Sequence, residues 1–345
     1  MAAQCHIFAQ ASCAAVIAGS SSRQHSIGVK YCYHLLAMDS VDRLASSFDS
    51  AWGQFLGAWK RVREKATEES IHDLRVSTRR LLAAIELLQT LSPGDDMDAL
   101  QRRFKKVLKH LGPLRDVQVQ LEKIALVPEK DRIAGFKRNL KRRERDESGK
   151  IRDALTRNRR QRLTEGAEEI QSRFAILNDD IGQDQIRTSV ACALSARYNH
   201  LLKARRQFYR CTDDQEALHA MRIALKKLRY LLEAAQPVLG RSAKQQARRL
   251  HALQQLMGDS RDLDMFCVSL QQWATSKGKT IDVLAALDDL KQKRDQLLRK
   301  IVARSVEIEH ILTLGRPGLE PTGAVIRNRR IRAETGRLSD RRPCV

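Results

Sequence analysis

The segment SIHDLRVSTRRLLAAIELL, residues 70–88, carries a histidine and three arginines at spacings typical of an α-helix. On a helical wheel with about 100° per residue, Arg75 and Arg79 lie within about 60° of His72, and the leucine and isoleucine side chains cluster on the opposite face. Arg80 adjoins this basic stripe. The segment is therefore predicted to form an amphipathic helix whose basic face points away from its apolar face.

A second segment, ALHAMRIALKKLRYLLEA at residues 217–234, follows the same plan. His219, Arg222, Lys226 and Arg229 share one face, and methionine and leucine side chains share the opposite one. We therefore predict two similar basic helices in one chain.

Side chains of these types suit a ligand that carries several phosphate groups. The planar arginine fork binds phosphate oxygens through two hydrogen bonds, and lysine adds a mobile point charge. Histidine has a reference pKa near 6.5 and gains a proton readily when phosphates surround it. Residues 72–79 span about 10 Å along a helix, which fits several successive phosphates better than one small anion. Because like charges at this spacing destabilise an isolated helix, acidic residues elsewhere or a bound anion must compensate them.

The two segments belong to a longer internal repeat. A shift of 147 residues places His72 on His219, and a shift of 146 places LGPLRDVQV, residues 111–119, on MGDSRDLDM, residues 257–265. Two motifs in the same order at nearly the same shift indicate a duplicated chain.

Basic residues outside the two segments extend the predicted surface. Lys106 and Lys109 lie opposite the apolar residues of QRRFKKVLKHLG, and Arg248 has a comparable position in the second half. Arg115 and Arg261 each precede an aspartate at the start of a predicted helix, where that aspartate suits the helix dipole. We interpret both aspartates as structural and both arginines as secondary ligands.

Composition narrows the class of partner. The 345 residues include 63 Lys and Arg against 41 Asp and Glu, which gives a formal net charge of +22 and indicates a polyanionic partner. Seven cysteines without a CxxC pair argue against a disulfide framework or a zinc site and favour a reducing cytoplasm. No apolar run approaches the roughly 20 residues that span a bilayer.

The course of the chain predicts an all-α fold. Helix-forming residues dominate from Asp39 to Leu314, and prolines and glycines interrupt them at intervals. The duplication predicts two antiparallel four-helix-type bundles related by a pseudo-two-fold axis. Predicted helices lie near residues 40–66, 70–90, 96–111, 114–126, 129–174, 184–209, 214–235, 240–257, 260–275 and 280–312. The predicted units are an irregular N-terminal extension (1–38), a first bundle (39–177), a second bundle (183–314) and a disordered basic tail (315–345).

The segments HDLRVSTRR and HAMRIALKKLRY, each followed by a GxxRD-type element, resemble the two half-motifs of the conserved histidine α-helical domain family, CHAD. The resemblance covers about residues 40–312. It implies two four-helix bundles with a basic groove or pore between them that binds inorganic polyphosphate. The process that such binding serves stays open, whether association with polyphosphate granules, scaffolding or phosphate signalling. Carried over by position, it implies the ligands His72, Arg75, Arg79, Arg80, His219, Arg222, Lys226, Lys227 and Arg229.

Other interpretations stay open at this point. A nucleic acid could use the same basic faces, although only 5% of residues are aromatic and base stacking would have few platforms. The histidines could merely pack, or His72 could accept a phosphoryl group. No phosphate-cradling loop, metal-binding histidine pair or ExExK strand of the triphosphatase domain fused to many relatives occurs. We therefore expect a non-enzymatic binding protein without metal or cofactor, of unknown oligomeric state.

Overall fold

The computed structural model describes residues 26–180, 182–212, 214–306 and 308. Within these ranges the chain forms helices, one short 3-10 turn at Ile124–Leu126 and no strand. The helices are α1 (Ser26–Glu64), α2 (Glu68–Leu91), α3 (Asp95–Lys123), α4 (Ala134–Ala154), α5 (Arg157–Asp180), α6 (Gln183–Arg210), α7 (Gln215–Leu239), α8 (Arg241–Ser276) and α9 (Thr280–Ser305). The all-α prediction is confirmed. None of the described helices has both the length and the apolar character needed to cross a bilayer.

The first helix begins earlier than predicted. It starts at Ser26, so residues 26–38 are helical and their assignment to an irregular extension is wrong. No proline occurs in the chain before Pro93, and helix propagation costs little once a stable turn lies downstream. The rest of that predicted extension and the predicted tail at 315–345 lie outside the described residues.

Two predicted helix breaks lie inside continuous helices. Pro113 sits within α3, where it removes one backbone hydrogen bond at a cost of about 3 kcal/mol. Leu111, Leu114 and Val117 are each 0% exposed on one face of that helix, and each such burial contributes about 1.5–3 kcal/mol. The apolar stripe thus outweighs the lost hydrogen bond. Gly258 lies within α8 between buried turns in the same way.

The predicted helix at 129–174 is wrong in the opposite sense, because the chain forms α4 and α5 there. Leu155 is buried at the junction, and the Thr156 hydroxyl accepts a hydrogen bond from the backbone N–H of Arg159 at 3.2 Å. This bond is a helix N-cap. It starts a new helix in a new direction.

The motif helices α2 and α7 each begin with a side-chain cap. Thr67 accepts from the N–H of Ser70 at 3.2 Å, and Asp214 accepts from the N–H groups of Glu216 and Ala217 at 2.8 and 3.2 Å. Such a cap contributes about 1 kcal/mol and fixes the residue at which the helix starts. The caps therefore set the register of both basic faces.

The predicted apolar faces are buried. Leu74 and Leu81 of α2 and Met221 and Leu228 of α7 are fully covered. They belong to one large core cluster that contains residues of both predicted bundles, and a smaller cluster joins α3, α4, α8 and α9. Four aromatic residues of α1 lie in the large cluster: Phe48, Trp52, Phe55 and Trp59.

The motif helices are in contact with each other at the centre of the fold. Helix α1 also packs against α7, and α6 packs against α2, so each motif helix touches both halves. This reciprocal packing is what a duplicated chain requires. The duplication and the bundle boundaries stay predictions, which superposing the two halves would test.

Candidate anion-binding site

Four basic side chains meet where α2 packs against α7. Arg75 and Arg79 come from α2, and Arg222 and Lys226 come from α7. All four are partly buried, and the charges of the two helices lie close enough to act on one another. We call these four residues the central cluster.

Burial and mutual repulsion disfavour the charged forms of the central cluster. Burial, followed by the charges of Arg79, Arg222 and Arg75, lowers the pKa of Lys226 to about 7. Burial and the neighbouring Arg79 likewise lower the pKa of Arg75 to about 10. For Arg222, burial is the main cause of a lowered pKa. A ligand that brings negative charge to this place would relieve all three effects.

Two carboxyl groups face the central cluster without neutralising it. Asp116 of α3 lies near Arg75, and Asp262 of α8 lies near Arg222. Burial raises the pKa of both carboxyl groups. In the described part of the chain, no carboxylate oxygen lies within 4.0 Å of a nitrogen of the central cluster. The cluster therefore keeps unpaired positive charge.

Hydrogen bonding within the central cluster is also incomplete. Arg75 Nη1 donates to the carbonyl oxygen of Leu108 at 3.4 Å, whereas Arg222 Nε is buried with no acceptor among the described residues. A buried donor without a partner costs roughly 1–3 kcal/mol. An anion would supply the acceptors that the protein lacks there.

The two motif histidines lie beside the central cluster and are exposed. Partial desolvation, followed by Arg115 for His72 and by Arg261 for His219, lowers the pKa of both imidazoles. Neither histidine is therefore a packed core residue. Both can donate a hydrogen bond to a ligand at the edge of the cluster.

A cleft of about 710 Å³ continues from the central cluster between α1, α2, α7 and α8. His72 and Arg79 line it, which joins the cleft to the cluster. Three further predicted ligands also line the cleft: Arg80, Arg229 and Arg248.

Some predicted ligands are already held by carboxylates. Arg229 is buried, pairs with Glu233, donates to Gln254 at 2.8 Å and lies over the ring of Tyr230 at 4.0 Å. Arg80 donates to an amide oxygen at 2.8 Å and lies 3.8 Å from Glu233. These two arginines shape the cleft wall more than they supply free charge.

Arg115 is engaged in the same manner. Its Nη1 lies 2.9 Å from a carboxylate oxygen of Glu68 and 3.2 Å from one of Glu122. Burial and the hydrogen bond to Glu68 raise the pKa of Glu122 to about 7. Arg115 is therefore paired with two carboxylates, next to His72.

The remaining predicted ligands differ in their distance from the central cluster. Lys227 is exposed next to Lys226, and Arg261 is partly buried next to His219. Lys106 and Lys109 are exposed on α3 and do not line the cleft.

Sequence reasoning missed two basic residues of the cleft. Lys244 and His251 of α8 line it on either side of Arg248. The three lie at i, i+4 and i+7, which places them on one helix face. This spacing on one helix face could have identified Lys244 and His251 from the sequence.

Among the described residues, no group of three or more His, Cys, Asp and Glu side chains could hold a metal ion.

The CHAD domain family model matches residues 46–271. The fold resembles the crystal structure of the CHAD domain from the plant Ricinus communis, with a TM-score of 0.57 and 21% identity, over 79% of this chain and 90% of that one. It also resembles PptA from Streptomyces chartreusis, with a TM-score of 0.53 and 18% identity, over 79% of this chain and 99% of that one.

No curated protein matches the sequence. The two solved structures are under 25% identical to this chain and show the fold alone. The family model spans well over half of the chain and includes both histidine segments. The chain therefore belongs to the CHAD domain family.

Proposed function

We propose that this protein binds inorganic polyphosphate, without catalysing a reaction on it, in the groove formed by the central cluster and the adjoining cleft. One observation carries the proposal. Arg75, Arg79, Arg222 and Lys226 converge from two helices, and no carboxylate in the described part of the chain pairs with them. A linear polyanion would neutralise the excess positive charge and would accept hydrogen bonds from donors that lack a partner in the protein.

The shape of the groove favours a phosphate polymer over a single anion. His72 and Arg79 are about 10 Å apart along α2, and the cleft extends the surface over four helices. Membership in the CHAD family, which relates to polyphosphate in general, supports the same ligand.

Nucleic acid is the second candidate, because it offers phosphates to the same cations. Binding of a single strand gains about 1–3 kcal/mol from each base stacked on an aromatic ring. Tyr230, the aromatic side chain of the cleft wall, is buried beneath Arg229. We therefore propose nucleic acid as a weaker competitor.

Titration calorimetry with polyphosphates of increasing length tests the proposal. We expect affinity to rise with chain length and to fall steeply with salt. Replacing His72, Arg75, Arg222 and Lys226 by alanine together should abolish binding. The matched control replaces three exposed cations of α9, Arg299, Lys300 and Arg304, which line neither the central cluster nor the cleft.

Undiminished affinity in the first variant, or equal loss in the control, would refute the site. Excess DNA or RNA should displace long polyphosphate poorly if nucleic acid is the weaker ligand. Phosphate release in the presence of magnesium or manganese would contradict the non-enzymatic assignment.

We also propose a cytoplasmic location in association with polyphosphate granules. Cys192, Cys211 and Cys267 are free thiols, which suits a reducing compartment. A fluorescent fusion of the full chain should coincide with granules stained for polyphosphate, and a uniform distribution would contradict the association.

A further inference from the structure

The repeat predicted from the sequence defines a counterpart to the cleft, made of the equivalent positions on α2 and α3. The shift of 146 residues places Lys244, Arg248 and His251 of α8 on Asp98, Arg102 and Lys105 of α3. The shift of 147 places Glu233 of α7 on Glu86 of α2. The two sides can therefore be compared position by position.

On the counterpart side, side chains at these positions bond to one another across the helices. Gln89 of α2 donates to Asp98 at 2.9 Å, Gln101 donates to Gln89 at 2.8 Å, and Lys105 donates to Gln101 at 3.3 Å. Glu86 pairs with Arg197 of α6. This chain of bonds ties α2 to α3 and to α6.

The cleft side is open and positive. Lys244 and Arg248 are exposed and, within the described part of the chain, form no hydrogen bond or ion pair. His251 is exposed next to them. At the position where the counterpart side has the carboxylate Asp98, the cleft side has the ammonium group of Lys244.

We propose that a polyanion leaves the central cluster on one side only, along this cleft, with Lys244, Arg248 and His251 as its ligands there. This inference rests on the proposed function, because it extends the path of the same ligand. The two halves of the repeat then have different roles. Both supply the central cluster, but α8 alone carries the rest of the chain of phosphates.

The path has a defined order. Arg79 belongs to the central cluster and also lines the cleft, so phosphates held at the centre have adjacent ligands at His72 and Arg79. Lys244 and Arg248, one turn apart on α8, follow on the opposite wall. A short polyphosphate can fill the centre alone, and a long one reaches α8.

The test compares two charge-matched double variants. Lys244→Gln with Arg248→Gln removes two positive charges from the cleft, and Arg102→Gln with Lys105→Gln removes two from the counterpart side. Probes are tripolyphosphate and a polyphosphate of roughly 100 units. We expect the α8 variant to weaken long-chain binding about tenfold, to lower its salt slope by one to two, and to leave tripolyphosphate within about twofold.

We expect the α3 variant to change both affinities by less than about twofold, since neither Arg102 nor Lys105 lines the cleft. Lys244→Arg with Arg248→Lys keeps both charges and should restore long-chain affinity. Thermal melts of each variant establish that it folds.

Equal weakening of long-chain binding by both double variants, or no weakening by the α8 variant, would overturn the one-sided path. In that case a loss of binding in the double variant Arg75→Gln with Arg222→Gln would still support the central cluster. If the unchanged protein bound neither probe, or if the Arg75 and Arg222 substitutions had no effect, the proposed function itself would fail. The two failures are therefore distinct.

Discussion

Raising the pH from 7 to 8 should weaken polyphosphate binding about fivefold through one side chain, Lys226. Burial and the facing charges of Arg79, Arg222, Arg75 and Lys227 lower its pKa to about 7 in the free protein. About half of the molecules carry the charged form at pH 7 and about one in eleven at pH 8. If the bound polyanion restores the charged form, affinity falls by that ratio and then about tenfold per pH unit.

The assay is calorimetry or fluorescence anisotropy with a long polyphosphate, whose few terminal groups contribute little to its titration. Glu122, with its pKa raised to about 7, titrates in the same window, so every measurement is made with Glu122→Gln present. The pKa values of His72 and His219 are lowered from 6.5 in the ligand-free protein, but bound phosphates favour the protonated imidazole, so His72→Gln and His219→Gln are also present in every measurement.

Lys226→Arg is the matched control, since arginine stays charged to much higher pH. Its affinity should stay nearly constant from pH 7 to 8.5. A constant affinity in the parent, or the same fall in the arginine variant, would show that Lys226 does not carry the pH dependence. Proton uptake on binding, measured in buffers of different ionisation enthalpy, should be close to half a proton at pH 7.

Four other outcomes concern stability. The folded-state pKa of Lys226 lies below its unfolded value of 10.5, so the charged lysine lowers the free energy of unfolding fully below pH 7 and progressively less towards pH 10.5. Lys226→Met should therefore raise the urea midpoint of the ligand-free protein more at pH 6 than at pH 10. Glu233→Gln should cost about 3 kcal/mol in urea unfolding, because it leaves the buried Arg229 uncompensated; a change below 0.5 kcal/mol would contradict that. Leu81→Ala, at a fully buried position, should cost about 2–5 kcal/mol by the same assay, while the folded fraction keeps its polyphosphate affinity. Thr67→Ala removes the α2 cap and should cost about 1 kcal/mol, and an unchanged midpoint would show that the cap is not needed.

The helical periodicity of the chain was sufficient to predict the fold class and the buried faces, because the apolar face of an amphipathic helix is stable only when it packs against other apolar residues. Helix boundaries were predicted less well. Pro113 and Gly258 looked like breaks, since local propensity was weighed without the buried stripes that continue across them. At Thr156 the capping hydroxyl was present in the sequence, but the surrounding basic run concealed it.

For the candidate site, the repeat identified the helices that meet and most of the cations at the centre. It could not show which cations were already paired. Arg115 and Glu68 are 47 positions apart, and Arg80 and Glu233 lie on different halves of the chain. Such pairs depend on tertiary packing, which spacing within one helix does not encode. Lys244 was missed because its counterpart Asp98 gave the repeat no basic match there.

A crystal structure of the full chain with bound polyphosphate would show which side chains hold the polymer. We expect phosphate oxygens within hydrogen-bond distance of Arg79 and Arg222, an acceptor on the buried Nε of Arg222, and the chain of phosphates continuing towards Arg248 of α8. Polyphosphate seated on another surface, with the central cluster free of phosphate, would contradict it.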